Sequence, residues 1–372
     1  MKRRIAWILA LTMAFSLTAC GSKAEKPAAE EGIDWSTLTV DDVIAKGKEE
    51  GAIESVGMPD NWANWVGSFK AMNETYGLTH TDVDLSSAEE VALFVAEKDD
   101  PTRDIGDVGF AFVDIAKDEG VLWDEFYKPT TWDSIPDWAK DENGAWVMSY
   151  TGTICFMVND MMSGNKVPDT WDALLNDTDL VVSPGNVVGG ASSQAGVLSC
   201  ALAMGGSFDN VQPGIDYFKK LAEQGRLDPG DITKDRLKTG EIQVMVGRFD
   251  FDGISYRDQI NAENVNDVHI TTVIPQDGAI TTGYCLIMNR YTPRPYATAL
   301  AVEYLLSDEG QIDRAYGGAR PIRSDVDLPD DVPLLDDSFY TNTTSVDDRA
   351  AFAEACAQIS TLWEEEVLPL LS

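Results

Sequence analysis

The stretch Ala145–Asn159 (AWVMSYTGTICFMVN) decides the fold, because it is a long apolar run with strand character inside the chain. Strand-like and helix-like signals alternate on both sides of it. The chain has 372 residues, whereas a single hydrophobic core seldom grows beyond about 250–300 residues. We therefore predict two α/β domains, with the change from one to the other near Tyr150.

The segment before this run predicts a layered α/β domain with a mostly parallel sheet. The predicted helices are Val40–Glu50, Trp62–Tyr76 and a helix opened by a capping box from Ser87 to Glu90. The predicted strands, which alternate with them, are Ile53–Met58, Thr79–Asp84 and Ile105–Phe112. Ligands of such sheets bind beyond the carboxyl ends of the strands. The loops of interest are therefore Pro59–Asn64, Ser86–Glu89 and Val108–Phe112.

The segment after the run continues the alternation. Strands are predicted at Leu180–Ser183, Ile242–Phe249, His269–Ile274 and Gly283–Asn289, and helices at Tyr296–Leu306 and Ala350–Leu370. A Gly/Ser turn, Gly189–Gln194 (GGASSQ), opens a further helix. Unpaired N–H groups at such a start favour an anionic group. Capping of that helix by Ser192 or Ser193 is the alternative.

The N-terminus has the layout of a secretory signal. The basic residues KRR at 2–4 precede an apolar stretch, Ile5–Leu17, which is too short to span a bilayer of about 30 Å. Small residues then lead to Cys20, which resembles the lipid-carrying cysteine of a bacterial lipobox. We expect a signal peptide over 1–19, a lipid anchor on Cys20 and a flexible tether over 20–34. A plain secretory signal is the alternative.

Composition excludes several classes of function. The net charge of −35 argues against nucleic acid as a partner, because nucleic-acid binding needs a basic surface. The other four cysteines have apolar neighbours and form no C-x-x-C pair, which favours buried free thiols, with one disulfide as the alternative. Two histidines occur, in unrelated contexts, and no metal, phosphate-loop or nucleophile motif is present. We expect no metal site, no cofactor and no enzymatic activity.

Five motifs follow one another after the long apolar run. They are Pro168–Leu174 (PDTWDAL), Lys238–Val246 (KTGEIQVMV), Pro275–Thr282 (PQDGAITT), Ala299–Gln311 (ALAVEYLLSDEGQ) and Gly318–Arg323 (GARPIR). Their order and spacing resemble the extracellular solute-binding proteins of bacterial ABC importers, in the branch of iron, thiamine, polyamine and phosphonate or sugar-phosphate binders. The resemblance covers roughly Trp35–Leu370. No adjacent Tyr-Tyr pair occurs, so coordination of ferric iron by tyrosinates is disfavoured.

The resemblance implies a two-lobed α/β fold of the periplasmic-binding-protein type, class II, with two hinge strands. Lobe 1 is expected over 35–151 and 283–372, lobe 2 over 152–282, and the crossings near Tyr150–Thr153 and Thr282–Tyr284. A solute in the cleft would close the hinge. The resemblance also implies an ABC permease and its ATPase as partners. We expect a monomer at the cell surface or in the periplasm, attached to the membrane through Cys20.

The candidate ligand-binding residues are polar and aromatic side chains near strand ends and in Gly-rich loops. They are Asp60, Trp62, Ser87, Glu89, Thr153, Ser192, Ser193, Asp250, Asp252, Tyr256, Tyr284 and Arg320. A polyamine would use the carboxylates and aromatic faces, with Tyr150 as a further wall. A phosphonate or sugar phosphate would use the serines, Thr153 and Arg320. We favour the cationic amine because of the net charge.

Each candidate also has a purely structural interpretation. Trp62 can pack in the helix stripe with Trp65, Ser87 and Glu89 can serve only as helix caps, and Arg320 can form a surface salt bridge. Two other classes of function share the expected fold: a surface chemosensor, and a hydrolase with paired carboxylates. No spacing singles out such a pair among the 63 acidic residues, so the hydrolase is the least favoured.

Overall fold

Two long antiparallel strands join two sheets of the protein. The computed structural model describes residues 32–164, 166–263 and 268–371. In chain order the strands are β1 (Ala52–Val56), β2 (Thr79–Val83), β3 (Ile105–Gly109), β4 (Trp146–Asn159), β5 (Val182–Ser183), β6 (Val244–Phe249), β7 (Ile270–Val273), β8 (Ala279–Met288), β9 (Arg320–Pro321) and β10 (Thr343–Ser345). The expected signal peptide, 1–19, and Cys20 lie outside the described residues.

The helices lie between the strands and at the C-terminus. They are α1 (Val40–Glu50), α2 (Trp65–Tyr76), α3 (Ser87–Ala96), α4 (Val113–Asp118), α5 (Asp160–Ser163), α6 (Trp171–Asn176), α7 (Ala191–Ala203), α8 (Gln212–Glu223), α9 (Lys234–Thr239), α10 (Asp250–Glu263), α11 (Pro295–Leu305), α12 (Asp308–Tyr316) and α13 (Arg349–Leu362). Helix α1 has the predicted bounds because Thr39 and Asp42 form a capping box and Gly51 ends the helix with a φ of 70°. Within the described ranges, no helix has the length and apolarity to cross a bilayer.

The apolar stretch that decides the fold is β4, and it belongs to both sheets. The hydrogen-bonded strand order is β2-β1-β3-β8-β4-β6-β5. Strand β1 pairs in parallel with β2 and β3, as predicted for the first domain. The first part of β4, Trp146–Thr153, pairs with β8. The second part, Ile154–Asn159, pairs with β6 and β7. The 14-residue β4 therefore connects two α/β lobes.

The two predicted crossings are antiparallel partners. Thr151 lies opposite Gly283 and Gly152 opposite Thr282. The Oγ1 atoms of Thr153 and Thr281 are 2.7 Å apart. A Cβ at Gly152 would come within 2.6 Å of the Phe251 ring, so a side chain at this position would force the neighbouring helix α10 away.

The structure corrects three local predictions. Helix α2 begins at Trp65 and not at Trp62, because Ala63 and Asn64 have positive φ angles of 43° and 57°, which a right-handed helix cannot include. The capping box of α3 lies one residue earlier than predicted, and joins Ser86 with Glu89. Asp250 and Asp252 do not end a strand: they form the first turn of α10.

The C-terminal residues contact both lobes. Helix α13 packs against α7 and against the short 3-10 helix Phe110–Phe112, which follows β3. Beyond it, the Trp363 and Phe218 ring centroids are 5.3 Å apart, and Lys219 forms an ion pair with Glu366 at 2.6 Å. The lobe boundaries stay a prediction, but these contacts link the end of the chain to the segment expected to form lobe 2.

Free cysteines are part of the core. Cys155, Cys200, Cys285 and Cys356 are all buried and unpaired, as their apolar flanks predicted. Burial raises the pKa of each of these thiols, because the thiolate is poorly solvated in an apolar environment. They therefore act as small apolar side chains.

Candidate functional site

A cavity of about 610 Å³ lies between the two lobes. One side of the cavity is lined by the loops after β1 and β2, by the start of α3 and by β3. The other side is lined by the turn before α7, by α9, by the end of β6 and by α10. Tyr284 of β8 lines it as well. The strand ends of both sheets thus converge on one space, as expected for ligand sites of open α/β sheets.

Eight of the twelve sequence candidates line this cavity. They are Trp62, Ser87, Glu89, Ser192, Ser193, Asp252, Tyr256 and Tyr284. Two of the three predicted loops contribute, Pro59–Asn64 and Ser86–Glu89. The third predicted loop, Val108–Phe112, packs against α13 instead, and β3 reaches the cavity through Asp107.

The other four candidates lie outside the cavity. Asp60 is exposed on the surface of its loop. Thr153 and Asp250 are buried and bonded to each other, since the Thr153 backbone N–H donates to Oδ1 of Asp250 at 3.0 Å. Arg320 forms a salt bridge, which was the alternative interpretation of this residue. It pairs with Asp337 at 3.1 Å and lies 4.3 Å from the Tyr340 ring centroid. The structure thus places these four residues outside the cavity, and sequence alone does not show which side of a strand end faces the cleft.

One wall of the cavity is acidic and buried. Glu90 and Asp107, which the sequence analysis did not select, are each 1% exposed. Oδ2 of Asp107 accepts from the Tyr150 hydroxyl at 2.5 Å and from the Trp65 indole at 3.3 Å. Burial raises the pKa of Asp107 to about 8 and raises that of Glu90 well above its usual range. Tyr150 is fully buried behind Asp107, so it is not the aromatic wall we expected.

The opposite wall carries an internal ion pair. Arg248 Nε lies 3.3 Å from Oδ2 of Asp252, and its guanidinium lies 5.5 Å from the centroid of the Trp62 ring. Burial raises the pKa of Asp252 to about 6, against the opposing effect of Arg248. Arg248 therefore lies close to both Asp252 and the Trp62 ring on this wall. Arg248 was detectable as the cation in the otherwise apolar strand Ile242–Phe249.

Aromatic side chains close the inner end of the cavity. The Trp62 indole N–H donates to the Tyr150 hydroxyl at 2.7 Å, and the Trp62 ring packs edge-on against Tyr284 at 5.4 Å. Trp62 is thus held at the cavity wall and is not part of the helix stripe of Trp65. Burial, followed by the charge of Asp107, raises the pKa of Tyr284, so it presents a neutral hydroxyl to the cavity at physiological pH.

The N-terminus of α7 faces the cavity without a side-chain cap. Gly190 is the N-cap and forms no side-chain hydrogen bond, while Ser192 and Ser193 lie within the first turn. Capping by either serine, the alternative from sequence, is therefore wrong. On the opposite side Ser87 accepts a hydrogen bond from the Gly109 N–H at 3.1 Å, and Glu89 accepts from Ser86 in the capping box. Both thus have a structural role at the cavity edge.

Two α/β lobes linked by long strands, with a polar cavity between them, define a two-lobed ligand-binding architecture. The sequence matches the model of the bacterial extracellular solute-binding proteins over residues 100–339, and the chain belongs to that family. No curated protein matches it in sequence. Its fold is the class II periplasmic-binding-protein fold of ABC importers, as the resemblance implied.

Solved structures with this fold align with this chain over nearly their whole length. The periplasmic binding protein AfuA of Actinobacillus pleuropneumoniae, with bound fructose-6-phosphate, has a TM-score of 0.69 and 17% identity, over 85% of this chain and 98% of its own. The ferric binding protein of Campylobacter jejuni has a TM-score of 0.64 and 17% identity, over 84% and 98%. An ABC transporter substrate-binding protein of Bradyrhizobium japonicum has a TM-score of 0.65 and 11% identity, over 85% and 99%.

Proposed function

We propose that this substrate-binding protein captures a small cationic amine, such as a polyamine, between its lobes and delivers it to an ABC permease. The observation that carries the proposal is the charge of the cavity lining. Seven described lining residues are Asp or Glu and two are Lys or Arg. The acidic residues remain in excess even if Glu90 and Asp107 each hold a proton. Such a lining attracts cations and repels phosphate.

Carboxylates from both lobes support closure around the solute. Acidic residues line the cavity from both lobes. They include Asp84, Glu90 and Asp107 of the first lobe and Asp231, Asp235 and Asp252 of the second. Oδ2 of the buried Asp252 has no hydrogen bond from any described residue, although Arg248 is near. A solute with two ammonium groups would bind both walls only in the closed form, and that difference in affinity would drive the hinge.

A phosphonate or sugar phosphate is the second candidate, and Arg248 is the observation that favours it. Arg248, Lys234 and the uncapped N-terminus of α7 all line the cavity. Together these groups could hold a dianion, and AfuA binds fructose-6-phosphate on the same fold. The acidic wall opposite would oppose that ligand. We therefore place the cationic amine first.

A thermal-shift panel on the full chain tests the proposal. Putrescine, spermidine, fructose-6-phosphate, methylphosphonate and ferric citrate would be compared at the same concentration. A ligand at about one hundred times its dissociation constant stabilises the folded state by about 2.7 kcal/mol. A shift with the amines alone supports the proposal. A shift with fructose-6-phosphate or methylphosphonate alone overturns it in favour of the second candidate.

Two variants of the Arg248–Asp252 ion pair distinguish the two candidate ligands. Asp252→Asn should reduce an amine shift at a fixed ligand concentration, because it removes a buried charge that would accept a hydrogen bond from the ammonium group. Arg248→Gln should abolish a phosphate shift and leave the amine shift in place. Tyr340→Phe, outside the cavity, is the matched control that should change neither.

We also propose that the chain is anchored to the membrane through a lipid on Cys20 and works there with a permease and its ATPase. Labelling cells with an alkyne-bearing fatty acid should mark the wild-type chain and not Cys20→Ser. Uptake of labelled spermidine should require both the chain and the permease. Binding without any contribution to uptake would favour the surface chemosensor.

A further inference from the structure

Glu90 and Asp107 form a buried pair of carboxyl groups on the first-lobe wall of the cavity. Glu90 of α3 accepts the backbone N–H of Asp107 at 3.1 Å. Gly57 provides the space for this arrangement, since a Cβ there would collide with the Glu90 carboxyl group. The two acidic groups are therefore held next to each other by backbone geometry.

One oxygen of this pair is left without a donor. Oδ1 of Asp107 is buried and has no hydrogen-bond partner among the residues that the structure describes. Asp107 is 1% exposed and lines the cavity. A buried carboxylate oxygen without a donor is costly, so this atom indicates a position where either a proton or a ligand donor belongs.

The surroundings do not neutralise the pair. The titratable and charged groups that face Glu90 or Asp107 are Asp82, Asp84, Tyr150, Tyr284, Cys285 and Arg314. Arg314 is the cation among them, and its guanidinium stacks 3.7 Å from the Trp65 ring centroid and donates to the Asn64 carbonyl. Asp82 and Asp84 lie near, and neither carboxyl of the pair forms an ion pair with a residue in the described ranges. Ionising both groups would therefore be unfavourable.

We propose that Glu90 and Asp107 form an ammonium subsite that is loaded by proton exchange. The empty subsite holds a proton as a carboxylic O–H; when an amine enters, that O–H bond breaks and the proton passes to solvent. The carboxylate then accepts an N–H of the incoming ammonium group. No covalent bond to the solute forms, and the charge of the subsite stays constant. The proposal rests on the proposed capture of a cationic amine.

This exchange makes affinity depend on pH. Because the proton competes with the ammonium group, the dissociation constant should rise about tenfold for each unit by which pH falls, for one proton released. The raised pKa of Asp107, about 8, places this dependence between mildly acidic and neutral pH. A subsite with ordinary carboxylates would show no change there.

Calorimetry of putrescine binding tests the proposal on the full chain. Titrations at neutral pH in phosphate and in HEPES, whose ionisation enthalpies differ, give the number of protons released. We expect release of between about half a proton and one proton on binding. Asp107→Asn should lower the release to near zero and Glu90→Gln should weaken binding at least tenfold, whereas Asp60→Asn, an exposed acid outside the cavity, should match wild type.

The two proposals fail in different ways. Putrescine binding with equal heats in both buffers overturns proton exchange and leaves amine capture standing. Absence of binding at every pH overturns amine capture, and the ammonium subsite with it. The wild-type buffer comparison decides the matter even if Glu90→Gln does not fold.

Discussion

Asp107→Asn should remove one defined contribution to a pH-dependent loss of stability in the empty protein. The carboxyl group has a pKa of about 8 in the folded chain against an ordinary value of 3.8, mainly because of burial. A raised pKa means that the folded state binds the proton more tightly. Between these values the free energy of unfolding therefore falls as pH rises, by about 1.4 kcal/mol per unit. From about pH 5 to about pH 7.5 the loss is about 3 kcal/mol.

The amide variant preserves the hydrogen bonds that matter. Its amide oxygen can accept from Tyr150 and Trp65, and its NH₂ group takes the place of the oxygen that has no donor. Urea unfolding of both proteins across this pH range gives the difference in unfolding free energy. From the low to the high end of this pH range, the unfolding free energy of the variant should rise by about 3 kcal/mol relative to that of wild type. A difference that stays constant with pH would refute the assignment of a buried protonated Asp107.

Three further substitutions test the framework around the site by chemical denaturation. Gly152→Ala should destabilise the chain by about 1–3 kcal/mol because a Cβ would press on Phe251; an unchanged midpoint would contradict the tight strand crossing. Glu303→Gln should cost about 1–3 kcal/mol, since the carboxylate accepts from Tyr127 at 2.7 Å and from the Thr130 N–H at 2.9 Å; equal stability would show that these bonds do not depend on charge. Tyr340→Phe removes a 2.5 Å hydrogen bond to Asp250 and should cost about 1–2 kcal/mol without changing solute affinity; weaker solute binding would place Asp250 at the site after all.

The fold could be predicted from the sequence because its signals are local and repeated. The bounds of α1 follow from Thr39, Asp42 and Gly51, all within one short segment. The strand β4 is a long and largely apolar run, and its length favours a role as a link between sheets. The start of α2 could not be predicted, because the positive φ angles of Ala63 and Asn64 depend on tertiary contacts such as the bond from Asn64 to the Asp313 carbonyl.

The site was predictable only in part, for a geometric reason. Sequence indicates which residues follow a strand, and this was enough to select Trp62, Ser87 and Tyr284. It does not show which residues of a turn face inward, and the structure places Asp60 and Arg320 outside the cavity. Glu90 was missed because it was assigned to a helix cap, and Arg248 because it was assigned to a strand. For Arg248, a charge within a largely apolar strand was the signal that could have found it.

The most direct test of the central claim is the affinity of spermidine for the full chain, measured by calorimetry for wild type and Asp252→Asn. A buried charged partner contributes about 1.5–3 kcal/mol. The account therefore predicts a single site in wild type and binding weakened about 10- to 150-fold in the variant. Equal spermidine affinity in the two proteins, or no spermidine binding by wild type, would contradict capture of a cationic amine in the cavity between the lobes.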